Sequence, residues 1–376
     1  MKKLRAFGTV LLAVLMFSSV STKAEIAGVR TSACSLMEVE SQRVLYSENG
    51  DKQLPMASTT KIMTALVAIE KGNLSDIVTI TAESSGVEGS SIYLEVGETL
   101  TLEELLYGLM LHSGNDAAVA IAIHVGGSVA GFCEMMNQKA RELGANNTNF
   151  VNPNGLPANG HYTTANDLAK IASAAMKNEQ FRKIVGTTAI TIPHDGRSWD
   201  RALRNKNKLL YSYEGANGIK TGYTKASGRC LVGGAERNGM QLVSVVLNCS
   251  DMYNDTIAIL DYGFANFSRH IVVAKNAVLG EVNVKNGIEE ALEARAKGDI
   301  VLTLTEEEVQ RAEVVTQMLA VVEAPVEVGD YLGTAEVWLD GAMIASVDLV
   351  ATVSVQEKTF LHYLNIVFGN WLQKAA

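Results

Sequence analysis

A serine and a lysine three residues apart are the first candidates for chemistry in this chain. Ser58 and Lys61 are the first and last residues of the sequence Ser-Thr-Thr-Lys, which begins an apolar helical pattern. Side chains three apart on a helix share a face, with about 5–6 Å between Cβ atoms, so the Lys61 amine can reach the Ser58 hydroxyl. A serine hydroxyl needs a base before it attacks a carbonyl carbon. The pair therefore predicts a serine nucleophile with a lysine as its base.

Two further motifs supply the other groups that acyl transfer requires. Ser113-Gly114-Asn115 lies in a break between two helical patterns, and Lys220-Thr221-Gly222 lies in a strand-like segment. Ser113 can contact both the nucleophile and a leaving group, while the Asn115 amide offers one acceptor and two donors to a peptide-like substrate. A lysine serves as a base only when burial or another cation lowers its pKa, and Lys220 is the candidate cation.

The start of the helix also offers a backbone group to this chemistry. N–H groups in a first helical turn point outward with partial positive charge, so the amide of Ser58 is a candidate oxyanion donor. Each motif alone has a simpler interpretation: Lys61 as a salt-bridge partner, and Ser113 or Asn115 as a helix cap. The three motifs in this order favour the catalytic interpretation.

Two other kinds of site do not fit the sequence. Lys220-Thr221 resembles the tail of a phosphate loop, but Ile219 stands where that loop requires glycine. The six histidines never fall at the spacing of metal ligands, and His112, beside the second motif, is expected to have a local structural role. We therefore expect no metal and no other cofactor.

Apolar periodicity places the motifs on a mixed scaffold of strands and helices. Strand-like pieces occupy residues 27–48 around a turn expected at Asn49-Gly50, and a hairpin from Leu231 to Asn248 turns at Asn238-Gly239. Helices are predicted between these strands, with Thr101 and Glu104 forming a capping box. The predicted helices cover residues 58–72, 101–111, 116–125 and 164–176.

The four cysteines do not indicate a disulfide framework, because they are scattered and lack Cys-x-x-Cys spacing. Cys230 and Cys249 flank the predicted hairpin and are the one pair to consider. A two-residue loop at Asn238-Gly239 sets Cys230 opposite Leu247 instead of Cys249. We therefore favour two free, buried thiols.

The chain is long enough for two domains, since 376 residues exceed the size at which a single core stops growing. After Ser268 the helical patterns give way to short alternating runs, which predict a small all-β domain over residues 268–354. The charged stretch 289–297 and the acidic run 306–308 are interpreted as solvated surface of this domain.

Both ends of the chain are expected to direct it to a membrane. Residues 1–24 join a basic start to an apolar run and a small residue, which predicts a removed secretory signal peptide, with a retained anchor as the alternative. Residues 355–376 predict an amphipathic helix with an aromatic stripe. That stripe favours a membrane interface over packing on the β domain.

The charge of the chain argues against nucleic acid as a partner. Removal of residues 1–24 takes away four basic and no acidic side chains, so the formal net charge changes from −9 to −13. A protein with this negative charge repels the phosphate backbone of nucleic acids.

The residues around the three motifs resemble those of low-molecular-mass penicillin-binding proteins, which are serine-type D-alanyl-D-alanine carboxypeptidases. The matching segments are residues 55–64, 112–118, 152–156 with 161–164, and 218–224. The resemblance covers residues 25–267 strongly, while the β-rich domain and the terminal helix agree in layout. It implies the α/β (α+β) penicillin-binding and β-lactamase-like transpeptidase fold, an antiparallel sheet with a helical cluster, followed by the small all-β domain.

The resemblance implies a role for each of the first two motifs. Ser58 would attack the carbonyl between the two terminal D-alanines of a peptidoglycan stem pentapeptide, and Lys61 would take its proton. Ser113 would relay a proton to the departing D-alanine, and Asn115 would hold the peptide backbone.

The third motif would bind the substrate along its strand. Lys220 and Thr221 would bind the terminal carboxylate, Gly222 belongs to the same substrate-binding strand, and the amide of Tyr223 would be the second oxyanion donor. The resemblance further implies β-lactams as covalent inhibitors, trimming that limits cross-linking, and a location at the outer face of the bacterial cytoplasmic membrane.

Two departures from the family pattern concern how the substrate is held. Tyr223 stands where many relatives have histidine, and the arginine expected downstream is missing between Asn248 and Phe267. Lys206 or Lys208 would then help to hold the carboxylate.

Three alternative functions remain beside the carboxypeptidase. They are a D,D-endopeptidase, a class A-like β-lactamase, and a catalytically silent module that binds cell-wall peptides. Glu142 and Asn146 match the letters of the class A glutamate motif but lie at a predicted helix end. The intact Ser58, Lys61 and Lys220 argue against the silent module.

Overall fold

The computed structural model describes residues 26–364 of the chain. In this range the strands are β1 (Thr31–Glu38), β2 (Val44–Glu48), β3 (Ile77–Thr79), β4 (Thr99–Thr101), β5 (Ala189–Ile192), β6 (Arg201–Arg204), β7 (Ala216–Thr224), β8 (Gly228–Arg237), β9 (Met240–Cys249), β10 (Ser268–Val273), β11 (Val278–Lys285), β12 (Ala291–Ala296), β13 (Ile300–Leu304), β14 (Glu313–Met318), β15 (Val321–Glu323), β16 (Tyr331–Leu339) and β17 (Ala342–Val350). The helices are α1 (Lys61–Lys71), α2 (Leu102–Leu111), α3 (Asn115–Gly126), α4 (Val129–Glu142), α5 (Ala165–Met176), α6 (Glu179–Gly186), α7 (Leu209–Ser212), α8 (Met252–Asn266) and α9 (Glu306–Arg311). A short 3-10 turn, Ala57–Thr60, leads directly into α1.

A five-stranded antiparallel sheet joins the two ends of the first domain. Its strand order is β2-β1-β9-β8-β7, so β1 from the start of the domain pairs with β9 from its end. The strand β7, which carries the third motif, lies at the edge of this sheet. The arrangement confirms the predicted antiparallel sheet with helices between its first and last strands.

Helices cover both faces of this sheet. On one face α1, α2, α3 and α5 share a core with Val232 and Val243, and on the other α8 packs against Leu231 and Val246. Neighbouring residues of one strand thus enter different cores, as the two-residue period of a strand requires. Helix α2 begins with the predicted capping box, formed by Thr101 and Glu104.

The first hairpin turns earlier than the sequence indicated. Residues 39–43 connect β1 to β2, whereas Asn49-Gly50 follows β2. Asn49 does form a turn, with φ of 50° and its carbonyl accepting from Lys52 N at 2.9 Å. Asparagine tolerates this left-handed backbone better than most residues, so its turn signal is real but marks the exit from the sheet.

The hairpin of β8 and β9 has the predicted register. Asn238 and Gly239 have φ of 51° and 74°, the positive values that a two-residue hairpin loop requires. Leu231 pairs with Val246, which sets Cys230 beside Leu247. Cys230 and Cys249 are free, buried thiols, as predicted.

The second domain has its own core. A six-stranded sheet with the order β14-β16-β17-β12-β11-β15 and a two-stranded sheet of β10 and β13 enclose it. All pairs are antiparallel except β11 with β15. Strand β10 begins at Ser268, directly after α8 ends at Asn266, so the predicted division after residue 267 falls between two elements.

Most charged side chains in two segments of this domain are exposed, as the sequence predicted. The stretch 289–297 contains β12, whose Leu292 is buried in the core. The acidic run 306–308 opens α9, and Glu308 forms an ion pair with Arg43 of the first domain. The solvated-surface interpretation therefore holds for most of the charged side chains, whereas Glu308 is partly buried in its ion pair.

The predicted targeting segments lie largely outside the described residues. Residues 1–24 lie outside them, as does the end of the predicted terminal helix beyond residue 364. Residues 360–364 are helical, and Phe360, Leu361 and Tyr363 are exposed. Between residues 26 and 364 no single helix has the length and apolar character to cross a membrane, and only α3 and α4, bent by 84°, meet that criterion as a pair.

Candidate active site

Ser58 is presented by a backbone turn that two glycines approach closely. It lies in the 3-10 turn before α1, which confirms its predicted position at a helix start. A Cβ atom on Gly155 would lie 2.0 Å from the Ala57 carbonyl oxygen, and one on Gly222 would lie 3.1 Å from Ser58 N. The first distance excludes a side chain, and the second is tighter than ordinary packing. Glycine at both positions therefore lets the backbone close around the nucleophile.

Lys61 lies behind Ser58 with its amine completely buried. The Lys61 Nζ is 3.1 Å from Ser58 Oγ and 2.7 Å from Asn115 Oδ1, and it also donates to the Asn154 carbonyl. A neutral amine has two N–H donors and one lone pair. The two carbonyl oxygens can take both donors, which leaves the lone pair for the Ser58 hydroxyl hydrogen. The contacts suit a lysine that acts as a base.

The surroundings of Lys61 favour this neutral form. Burial lowers the pKa of Lys61 well below its ordinary value, the nearby charges of Lys220 and Lys206 lower it further, and Asp116 partly opposes them. Burial and Lys206 also lower the pKa of Lys220, to about 7. Desolvation penalises the charged ammonium, and like charges add to that penalty. The salt-bridge interpretation of Lys61 is wrong, because among the described residues its amine contacts a hydroxyl and two carbonyl oxygens and no carboxylate.

The second motif lies where α2 ends and α3 begins. Ser113 has φ of 64° and is buried between the two helices. Gly114 is the N-cap of α3, with no side-chain cap bond. The Asn115 side chain instead accepts from Lys61 and donates to the Glu88 carbonyl at 2.5 Å. The capping interpretation of Ser113 and Asn115 is wrong, because the amide of Asn115 is bound inside the site.

The third motif brings β7 beside the Ser58 turn. Lys220 is buried, and its Nζ donates to the Thr221 carbonyl at 3.1 Å. A Cβ on Gly222 would lie 3.1 Å from Ser58 N, and the next residue, Tyr223, has an exposed side chain. The structure thus places the Lys220 triplet on the edge strand next to the predicted nucleophile.

Two contributors to the site were not among the predicted site residues. Asn154 acts through its backbone carbonyl, which is common to all residues, so the only signal was its place in the matching segment 152–156. Asp116 is fully buried and accepts from Ser91 Oγ and from the backbone of Ile92 and Leu94. Its position directly after the second motif was the only available indication, and it fixes the segment that contacts Asn115.

Of the two lysines suggested as helpers, the structure brings Lys206 to the site. Its Nζ donates to the His112 carbonyl at 2.9 Å, one residue before Ser113, and its charge affects both buried lysines. Lys208 is not among the charges that shift the pKa of Lys61 or Lys220, and its backbone N–H donates to the Tyr253 hydroxyl.

The chain is similar over its length to known carboxypeptidases. Residues 19–251 match the peptidase family described as D-alanyl-D-alanine carboxypeptidase, and residues 267–357 match the C-terminal domain of penicillin-binding protein 5. The D-alanyl-D-alanine carboxypeptidase DacF of Bacillus subtilis is 33% identical, over 98% of this chain and 98% of its own. A D-alanyl-D-alanine carboxypeptidase of a Streptomyces species is 39% identical, over 59% of this chain and 82% of its own.

Solved structures show the same similarity. The penicillin binding protein 5 of Haemophilus influenzae aligns with a TM-score of 0.72 at 28% identity. The alignment covers 88% of this chain and 98% of that chain, so it includes both domains.

Replacing Gly155 tests whether close backbone contact positions the nucleophile. We expect Gly155→Ala to lower the free energy of unfolding by more than Gly144→Ala does in urea denaturation. Both glycines have positive φ, 87° and 69°, but a Cβ on Gly144 would meet nothing within 4 Å. Both variants share the left-handed penalty, about 1–2 kcal/mol, and only Gly155→Ala adds a clash with Ala57. Equal losses in the two variants would contradict the proposed contact.

Proposed function

This chain belongs to the family of serine-type D-alanyl-D-alanine carboxypeptidases, and we propose that Ser58 is the nucleophile with which it removes the terminal D-alanine from peptidoglycan stem pentapeptides. The observation that carries the assignment of Ser58 is the buried Lys61 amine, 3.1 Å from the Ser58 hydroxyl. A lysine with a lowered pKa is the base that such a serine needs.

In the proposed acylation step, Ser58 Oγ attacks the carbonyl carbon between the two terminal D-alanines and its proton passes to Lys61. The developing oxyanion accepts hydrogen bonds from the backbone amides of Ser58 and Tyr223. The C–N bond then breaks, and the departing amine of D-alanine receives a proton through Ser113. The product is a Ser58 ester, which water hydrolyses to the shortened peptide.

Substrate recognition is assigned to the edge of β7 and to Asn115. Lys220 and Thr221 bind the terminal carboxylate, Gly222 lets the strand lie against the nucleophile, and Asn115 holds the peptide backbone. Lys206 supplies additional positive charge beside the carboxylate, since the expected arginine is missing. The cation of Lys220 also keeps Lys61 neutral.

β-Lactams, which resemble the D-Ala-D-Ala end, are proposed to acylate the same serine and to leave slowly. The contacts near Ser58 do not favour the class A-like β-lactamase. Glu142 is the last residue of α4 and accepts from Gln138 on the exposed surface. Within residues 26–364, the hydrogen-bond partners of Lys61 Nζ are Ser58 Oγ and the carbonyl oxygens of Asn115 and Asn154, none of them a carboxylate. D,D-endopeptidase activity differs only in the length of the leaving group and is tested with a cross-linked substrate.

Mass spectrometry of the soluble chain tests the nucleophile. We expect residues 25–358 to release one D-alanine from a pentapeptide and to gain a penicilloyl adduct on Ser58, both absent in Ser58→Ala. Cleavage of cross-linked dimers without D-alanine release would support the endopeptidase. Rapid penicillin turnover without peptide trimming would support the β-lactamase, and the absence of both adduct and product would support a silent binding module.

The charge of Lys206 provides a pH test of the lysine base. We will follow the rate constant of penicillin acylation as a function of pH. We expect Lys206→Gln to move the acid limb of this profile to higher pH, because losing a neighbouring positive charge raises the pKa of Lys61. Glutamine keeps an N–H donor for the His112 carbonyl, so the local structure is retained. The matched control is Lys208→Gln, which should leave the limb in place. An unshifted limb in Lys206→Gln would contradict the electrostatic role of Lys206.

We further propose that the chain is exported and that residues 355–376 tether it to the outer face of the cytoplasmic membrane. The sequence pattern supports this, because Phe360, Leu364, Phe368 and Trp371 fall on one stripe of a helix. The exposure of Phe360, Leu361 and Tyr363 is in keeping with an apolar face that needs a partner.

Vesicle sedimentation tests the tether. We expect residues 25–376 to sediment with vesicles that contain phosphatidylglycerol, and residues 25–358 to stay in the supernatant. The double variant Phe368→Ser, Trp371→Ser should also stay in the supernatant, since it keeps the charges and loses apolar area. If the full-length chain does not sediment, the helix packs on the β domain instead.

A further inference from the structure

A chain of hydrogen bonds behind the Ser58 turn leads to a histidine that the proposed mechanism does not use. His161 Nε2 lies 2.8 Å from Thr60 Oγ1, and the Thr60 hydroxyl donates to the Ala57 carbonyl oxygen at 2.8 Å. On the other side of the ring, Val151 N donates to His161 Nδ1 at 3.2 Å. His161 and Thr60 are buried, so the contacts of the Thr60 hydroxyl with His161 and with Ala57 are shielded from water.

The partners of His161 fix its protonation state. A backbone N–H can only donate, so Nδ1 must accept from Val151 and carries no hydrogen. In a neutral ring the hydrogen is then on Nε2, which donates to Thr60, and the Thr60 hydroxyl passes its own hydrogen to Ala57. Burial and the nearby Lys61 amine lower the pKa of His161 to about 4, in keeping with this neutral form.

The Ala57 carbonyl is important because it shares a peptide unit with the Ser58 amide. The trans peptide group is planar, so its carbonyl oxygen and its N–H point in opposite directions. A hydrogen bond that holds the Ala57 oxygen on the side of Thr60 therefore holds the Ser58 N–H on the side of β7, where Gly222 approaches it. Ala57 also has φ of 48°, a left-handed value that non-glycine residues avoid, so this orientation needs external support.

We propose that His161 is a positioning residue that orients the Ser58 amide as an oxyanion donor, acting through Thr60 and the Ala57 carbonyl. The inference rests on the proposed function of Ser58 as the nucleophile. His161 would stabilise the transition state of acylation without contacting the substrate, because only the oxyanion needs the amide in this direction.

Two other contacts hold the loop of residues 152–161 against α1 independently of His161. The Thr64 hydroxyl donates to the Pro153 carbonyl at 2.6 Å, and Lys61 donates to the Asn154 carbonyl. Loss of the His161 contact alone should therefore leave the loop in place. Thr64→Val serves as the matched control, since it removes one of these attachments without touching the Ala57 carbonyl.

Two substitutions at His161 separate its two hydrogen bonds. The Gln side chain can place an N–H donor near the Nε2 position, so His161→Gln retains the donor to Thr60. The Asn side chain can place an oxygen near the Nδ1 position, so His161→Asn retains the acceptor for Val151 and loses the contact with Thr60. Thr60 is the next member of the hydrogen-bond chain after His161. Thr60→Ser keeps its hydroxyl, and Thr60→Val removes it.

The experiment measures the acylation rate constant and the preceding dissociation constant for penicillin, and kcat and KM for a D-Ala-D-Ala peptide. We expect His161→Asn and Thr60→Val to lower the acylation rate constant and kcat about tenfold or more, with KM and the dissociation constant within about threefold. His161→Gln, Thr60→Ser and Thr64→Val should stay within about threefold of the wild type. The double variant His161→Asn, Thr60→Val should lose little beyond either single variant, because both remove the same chain of contacts.

The outcomes separate this inference from the proposed function. If the wild type forms no adduct on Ser58, the proposed function itself is wrong. If the wild type is active, wild-type rates in His161→Asn overturn the inference. Equal losses in His161→Asn and Thr64→Val, or losses in KM alone, would show that His161 only holds the loop and would also overturn it.

Discussion

The complete burial of the Lys61 amine is the constraint on which the site depends. An ammonium without a carboxylate partner is costly to bury, and its pKa falls until the neutral amine is favoured. The carbonyl oxygens of Asn115 and Asn154 satisfy the hydrogens of that amine. The remaining lone pair is available to the Ser58 hydroxyl, 3.1 Å away, so burial turns a residue type that is usually on the surface into a base.

The fold supplies each part of this environment from a different element. Helix α1 carries Lys61, α3 carries Asn115, the loop before α5 carries Asn154, and edge strand β7 carries Lys220. These elements meet because β1 and β9 pair across the domain and close the sheet around the helices. The site is therefore a property of the whole first domain, and the close contacts at Gly155 and Gly222 depend on that closure.

The sequence predicts those parts of the structure that local chemistry determines. The capping box at Thr101, the hairpin at Asn238-Gly239 and the position of Ser58 at a helix start each follow from a few adjacent residues. The contribution of Asn154 was not predictable, because it is made by a backbone carbonyl. The pair of Arg43 and Glu308 joins residues distant in sequence, so the partial burial of Glu308 at the end of an otherwise exposed acidic run was not predictable.

The protonation state of Lys61 decides most directly whether this lysine can act as the base for Ser58. Lysine labelled with ¹³C at Cε would be followed by NMR across pH, with the Lys61 resonance assigned from its absence in Lys61→Met. We expect this resonance to titrate well below the ordinary lysine value of 10.5. A Lys61 that titrates at or above that value would be charged at neutral pH, could not take the Ser58 proton, and would contradict the central claim.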